Sequence, residues 1–287
     1  MHVSLSIATP SISIVTAAKA GVQGKRRDSA ALDARFRGHD KKDEKNVLFE
    51  RLAIPPRENF VTKEERKLRQ AIIAKCRWMN DSGLNQGTSG NISARYRDAM
   101  LITPSATPYE AMEPEMIATM PLTGDYGAWQ GPLKPSTEWR FHYDIMRSRP
   151  DVGGIVHTHS TFATVLAITG KTIPACHYMI AAFGGNDVRC ADYATYGTKQ
   201  LSENALKALE GRAGCLLANH GVIATGANLD KAMWLAVELE TIAKQYYYAL
   251  ALGKPNILSD ALIEETRKGF ATYGLQDDHA KPRRRRA

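Results

Sequence analysis

A chain of 287 residues, 44% of them hydrophobic, is long enough to bury a large α/β core in a single domain. Of the 38 Lys/Arg behind the formal charge of +8, nine lie in residues 1 to 46 and five in 281 to 287; with the five acidic residues of the first stretch also set aside, 24 basic face 25 acidic residues between 47 and 280, a balance that excludes nucleic-acid binding by the domain. No run of about 18 apolar residues occurs, which excludes a helical membrane span, and Cys76, Cys176, Cys190 and Cys215, without C-x-x-C spacing, fit free thiols in a reducing, cytoplasmic compartment.

Residues 1 to 46 lack apolar periodicity and read as a disordered basic extension. A signal peptide fits poorly, because no Lys or Arg precedes the apolar stretch and Pro10 interrupts it. The phrase ALDARFRGHD looks like translated intergenic repeat sequence, so a start codon assigned too far upstream is the alternative. Thr62 and Glu65 form a capping box for a helix in which Leu68, Ile72, Cys76 and Met79 repeat at helical spacing as far as Gly83. NISARY and MLITP, separated by Arg97-Asp98-Ala99, predict a hairpin. After a loop rich in Pro and Gly, a helix is expected from Ser136 behind Pro135, with the hydroxyls of Ser136 and Thr137 as caps. Gly153-Gly154-Ile155-Val156 leads a strand into His157-Thr158-His159, followed by helices over Thr161 to Thr169 and Lys199 to Leu209. CLLANHGVIAT reads as one buried strand interrupted at His220-Gly221, then a long helix from Leu229 to Leu252 and a shorter one from Ser259 to Phe270. This alternation, without a G-x-G-x-x-G turn, predicts a layered α/β domain with no dinucleotide site.

His157 and His159 stand at i and i+2 of a strand, where both rings reach one face and can share a metal; surface histidines on a strand edge are the plainer alternative. His2, His39 and His279 lie in the tails, which leaves His142, His177 and His220 to supply a third ligand. His220 is the best placed, since it interrupts an apolar run directly before Gly221, although a core histidine bonded to a carbonyl satisfies the same pattern. Glu138, near a helix N-terminus, is the acid/base candidate, or an ordinary first-turn glutamate. His142, one turn later, either orients that carboxylate or lies on a solvated face. Gly87-Thr88-Ser89-Gly90-Asn91 and Ser136-Thr137 offer amides and hydroxyls suited to an anion, and suited equally to tight turns and caps.

In order along the chain, NQGTSGNISARY, MLITPSATPYE, PSTEWRFH, IVHTHS, IPACHYMIAAFGGN, CADYATYGT, NHGVIA, KAMWLAVELE and ATYG resemble the class II aldolase/adducin family over roughly Thr62 to Tyr273. The resemblance implies one three-layer α/β/α domain over about 47 to 276, with a mixed, largely antiparallel central sheet and a disordered basic tail at 277 to 287. It implies zinc held by His157, His159 and His220, with Glu138 as acid/base and resting-state ligand. A phosphate pocket follows from Thr88, Asn91, Ser105, Ser136 and Thr137; Tyr178 and Tyr273 reach the active site, the latter from a neighbouring subunit of a C4 homotetramer. The implied reaction splits a ketose 1-phosphate, L-fuculose 1-phosphate or a close analogue, into dihydroxyacetone phosphate and a short aldehyde such as lactaldehyde. Ser105-Ala106 stand where an aldolase of this family has Thr-Gly, Thr137 where it has Ser, and Tyr196 where it has Phe near the aldehyde. A dehydratase of methylthioribulose 1-phosphate and a 4-epimerase of L-ribulose 5-phosphate share the fold; the epimerase carries Asp at the Glu138 position. A non-catalytic adducin-like module is the rival outside enzymes, and the retained histidines and Glu138 speak against it.

Overall fold

The computed structural model describes residues 61 to 270, so the N-terminal extension, both domain boundaries, Tyr273 and the basic tail lie outside the described residues. Helix α1 (Lys63–Asp81) is capped by Thr62, whose hydroxyl accepts from the Glu65 amide at 3.2 Å, and it buries Ile72, Cys76 and Met79 as their spacing requires. β1 (Asn91–Tyr96) and β2 (Ala99–Ile102) form the expected hairpin. β2 also pairs with β3 (Ala118–Pro121), a strand hidden in the loop reading because four residues bounded by prolines and short 3-10 turns show no clear period of two.

Helix α2 spans Trp139–Ser148 and begins three residues later than expected. The Ser136 amide donates to the Thr103 carbonyl at 2.9 Å, which ties this segment to the end of β2 instead of to a helical turn. Ser136 still acts locally, its Oγ accepting from the Glu138 amide at 3.2 Å, and Glu138 becomes the N-cap residue. Then follow β4 (Gly154–Thr158), α3 (Thr161–Ile168), the paired two-residue strands β5 (Ile173–Pro174) and β6 (Asp187–Val188), β7 (Cys190–Ala191), α4 (Lys199–Ala208), β8 (Gly214–Leu217), β9 (Gly221–Gly226), α5 (Leu229–Leu252) and α6 (Asp260–Phe270). CLLANHGVIAT is therefore a hairpin, not one interrupted strand: β8 and β9 run antiparallel around Ala218-Asn219-His220. Asn219 takes φ 54° there, and the His220 amide donates to the Leu217 carbonyl at 3.0 Å. In one dimension, two apolar arms around a short turn look like a single buried run.

The main sheet has the order β3-β2-β1-β4-β9-β8-β7, and every neighbouring pair is antiparallel except β7 with β8. Alternate residues feed two cores. On one face Val156 and Val222 pack with Ile72 of α1, Ala163 of α3 and Leu239 of α5. On the other, Ile155 and Ile223 pack with Phe141 of α2 and Leu201 of α4. This is the expected α/β/α layering around a mixed, largely antiparallel sheet. All four cysteines are free thiols, and burial pushes those of Cys76 and Cys215 well up. Among the described residues, no helix is long and apolar enough to cross a membrane.

One cap is supplied from a distance. Ser160 makes no side-chain bond at the start of α3; Glu240 of α5 instead accepts from the Phe162 and Ala163 amides, both at 2.9 Å. Replacing Glu240 with Ala should lower the unfolding free energy by about 1–2 kcal/mol, the usual worth of a charged cap at a helix N-terminus. A urea titration showing an unchanged midpoint would contradict that role.

Candidate metal centre and active site

Sheet register decides which side chains meet. Asn91 of β1 lies opposite His157 of β4, and Ser93 opposite Ile155, so these four side chains share the face covered by α2. His157 donates its Nδ1–H to the Val222 carbonyl at 2.8 Å, which leaves the Nε2 lone pair turned inward, 3.1 Å from His159 Nε2. His159 falls one residue beyond β4, its amide donating to Asn85 Oδ1 at 3.2 Å. His220 closes the turn between β8 and β9. The three ligand nitrogens all lie within 4.8 Å of one another, and the ring centroids are 4.9 to 5.0 Å apart in each pair.

Two glycines permit this crowding. A Cβ on Gly221 would stand 2.5 Å from the Thr158 carbonyl and 2.7 Å from His159 Cδ2; one on Gly90 would stand 2.7 Å from the His157 carbonyl. Any side chain at either position would displace the backbone or a ring.

Glu138 lies across this triangle. Its Oε2 is 3.2 Å from His157 Nε2 and accepts from Asn91 Nδ2 at 2.8 Å; its Oε1, 3.1 Å from His220 Nε2, is buried and has no hydrogen-bond partner. Burial pushes the carboxyl pKa up, but the His157 and His220 imidazoles outweigh it and hold the group well below the usual carboxylate range. For His159, burial first and then the neighbouring His157 and His220 outweigh the pull of Glu138 and bring the ring down to about 4, so it is neutral at physiological pH. A neutral His159, a His157 ring whose Nδ1 is held by a carbonyl, and a buried carboxylate oxygen without a donor fit a divalent metal bound by three nitrogens with one side left open.

His142 lies on no solvated face and does not touch Glu138. It is fully buried, bonded to Asn91 and Ser93.

A cavity of about 470 Å³ opens beside Glu138, His159 and His220, lined by Thr88, Ser105, Ala106, Thr137 and Tyr196 among the residues expected to bind substrate. Asn91 and Ser136 are buried behind its wall. Ala106 keeps φ 50°, a left-handed conformation that costs a residue with a Cβ about 1 kcal/mol, so the turn is retained without glycine. Ser89, from the anion-suited segment 87 to 91, joins this lining, and Tyr193, Ala194 and Asn219, not singled out from the sequence, complete it. Asn219 could have been suspected as a non-apolar residue beside His220; nothing local distinguishes Tyr193 from other surface tyrosines. Asn85, which anchors His159, sits inside NQGTSGN without any sign of its long-range partner. Tyr178 is not brought to the histidines in one chain: it is 51% exposed and lines a separate cavity with Trp234, Glu238 and Phe270.

With this geometry in hand, the family model described as Class II Aldolase and Adducin N-terminal domain matches residues 70–247. The chain belongs to the class II aldolase and adducin family. Within that family it is 50% identical over 207 residues to a 5-methylthioribulose-1-phosphate/5-deoxyribulose-1-phosphate aldolase of Rhodospirillum rubrum, covering 72% of this chain and 92% of the relative. An L-fuculose phosphate aldolase of Escherichia coli is 47% identical over 214 residues, 74% of this chain and 98% of the relative. A solved L-fuculose 1-phosphate aldolase superposes with a TM-score of 0.69 at 40% identity, covering 71% of this chain and 96% of that one. The class II aldolase identified here is thus a metal-dependent enzyme of small-molecule metabolism, and its histidine triangle can hold the metal.

Gly221→Ala should weaken metal binding by about 10- to 100-fold while circular dichroism stays that of the folded protein, since the new methyl displaces two ligands and leaves the cores untouched. Metal content after dialysis, read by mass spectrometry, checks this; full retention would show that the rings have room to move.

Proposed function

We propose that the protein is a zinc-dependent aldolase that reversibly cleaves a ketose 1-phosphate to dihydroxyacetone phosphate and a short aldehyde. The observation that carries this reading is the Glu138 carboxylate lying within 3.2 Å of two imidazoles at the edge of the cavity. His157, His159 and His220 would hold the ion, which when bound supplies Lewis acidity for the charge that develops on the ketose oxygens. Thr88, Ser105, Ala106 and Thr137 present hydroxyls and loop amides to the phosphate, with Asn91 and Ser136 supporting them from behind. In cleavage the C3–C4 bond breaks with its electron pair passing to the C2–C3 unit, the C4 hydroxyl gives up its proton, and Glu138 delivers a proton to C3; in condensation the Glu138 carboxylate removes it.

In condensation a tyrosine gives its phenolic proton to the aldehyde oxygen, which becomes the C4 hydroxyl, and in cleavage the phenolate takes that proton back; we assign this tyrosine to a neighbouring subunit of a homotetramer. Half-exposed Tyr178, in a cavity apart from the histidines, supports that assignment, and Tyr273 is the second candidate. Tyr193 and Tyr196, 63% and 65% exposed, flank the aldehyde end. The named relatives point to two substrate types, L-fuculose 1-phosphate and 5-deoxy- or 5-methylthioribulose 1-phosphate. The Rhodospirillum rubrum relative is named as an aldolase of methylthioribulose 1-phosphate, which favours cleavage over dehydration for that sugar.

Purified enzyme should cleave at least one of L-fuculose, L-rhamnulose, 5-deoxyribulose and 5-methylthioribulose 1-phosphates, with activity abolished by EDTA and restored by zinc; unchanged turnover in metal-free protein would sink the proposal. Mixed after unfolding and reassembly, inactive Glu138→Gln and Tyr178→Phe chains should recover activity at about a quarter of the sites, where an intact Glu138 meets an intact neighbouring Tyr178. No recovery would place the tyrosine in the same chain or elsewhere. Tyr196→Phe should change the ratio of kcat/KM between the fuculose and 5-deoxyribulose substrates by about fivefold or more, the worth of one misplaced hydroxyl.

A further inference from the structure

We infer that His142 is a positioning residue for Glu138, acting through the side-chain amide of Asn91. This rests on the acid/base role proposed for Glu138.

The four members sit on facing elements at one level of the molecule. Asn91 and Ser93 project from β1 toward α2, and Glu138 and His142 stand one turn apart at the start of α2. Asn91 Nδ2 donates to Glu138 Oε2 at 2.8 Å, His142 Nε2 is 2.5 Å from Asn91 Oδ1, and Ser93 Oγ is 2.7 Å from His142 Nδ1. All four side chains are buried, Ser93 and His142 completely.

The direction of this chain is dictated from its carboxylate end. A carboxylate only accepts, so Asn91 must turn its NH2 toward Glu138 and its oxygen toward His142. An amide oxygen also only accepts, so His142 must carry its proton on Nε2. That leaves Nδ1 as an acceptor, and the Ser93 hydroxyl donates to it. Burial holds His142 neutral, pushing it down to about 3 against the pull of Glu138. A neutral imidazole has one proton, and the acceptor-only oxygen of Asn91 selects where it stays.

The amide is the weak link of any such arrangement, because its two orientations have nearly the same shape. Flipped, Asn91 would set its oxygen 2.8 Å from Glu138 Oε2, two acceptors in contact in a buried site with no solvent to screen them. The carboxylate would then swing away from the position between His157 and His220. His142 lines neither cavity wall nor metal triangle, so its hydrogen bonds reach Glu138 only through Asn91.

The test compares His142→Gln, whose amide nitrogen reaches close to the position of Nε2, with His142→Leu, which fills the space and offers no donor. In zinc-loaded enzyme, His142→Leu should lose about 10- to 100-fold in kcat, with KM within about threefold and zinc stoichiometry unchanged, and His142→Gln should recover most of that loss. Equal losses in both variants, or no loss in His142→Leu, would overturn the inference. Independently of turnover, long-range 1H–15N spectra of the wild-type protein should show His142 as the neutral Nε2–H tautomer; a proton on Nδ1 reverses the chain and overturns the inference by itself. Should His142→Leu fail to fold, kcat of His142→Gln and the tautomer decide. Should wild-type enzyme cleave none of the four ketose phosphates, the functional reading fails, and the tautomer alone decides whether the chain of bonds exists.

Discussion

Three imidazole nitrogens converging within 4.8 Å of one another turn their lone pairs on a common centre, and the rest of the active site is organised around making that tolerable. The Val222 carbonyl accepts the Nδ1 proton of His157, which turns the inner nitrogen toward the other two rings as a potential metal donor. Burial keeps His159 from charging. The carboxylate of Glu138 then lies against two of the rings with one oxygen unpartnered, an arrangement whose electrostatics improve when a cation enters.

Such a cluster needs a rigid frame, and the three layers provide one. The central strands β1, β4 and β9 are buried on both faces, so their register is pinned by two hydrophobic cores at once. That register brings Asn91 opposite His157 and points both at α2, whose first turn delivers Glu138. Close approach between elements is possible because Gly90 and Gly221 present no side chain where backbone and rings already touch. On the far side, Glu240 secures the helix that follows His159, so even a residue with no part in the chemistry holds the segment after the metal strand in place.

The substrate side is built differently. Its walls are loops, with Ala106 held in a left-handed turn and two tyrosines largely open to solvent. Loops carrying hydroxyls and amides can accept a phosphate with little constraint on the rest of the sugar. The exposed aromatic end, with Tyr193 and Tyr196, is the least constrained part of this wall.

The sequence by itself determined the helices, the hairpin at Arg97, the layered α/β class and the cluster of chemically meaningful residue types, because those follow from local periodicity, caps and short motifs. Its ordered series of motifs also named the family. Helix α5 spans the expected Leu229 to Leu252, closed by Gly253 and opened by an Asn228 cap that accepts from the Lys231 amide. What only the tertiary structure decided were matters of partners. His220 could have been an ordinary core histidine until the β8–β9 turn set it 4.9 Å from His157. For His142 the sequence left open whether it orients Glu138 or faces solvent, because neighbours along a helix were the only ones visible, whereas its bonds run 49 and 51 residues back to Ser93 and Asn91. Strand β3 and Tyr193 gained their meaning in the same way. Hydrogen bonds and metal donor sets join residues far apart in the chain, and a one-dimensional pattern carries no measure of that distance.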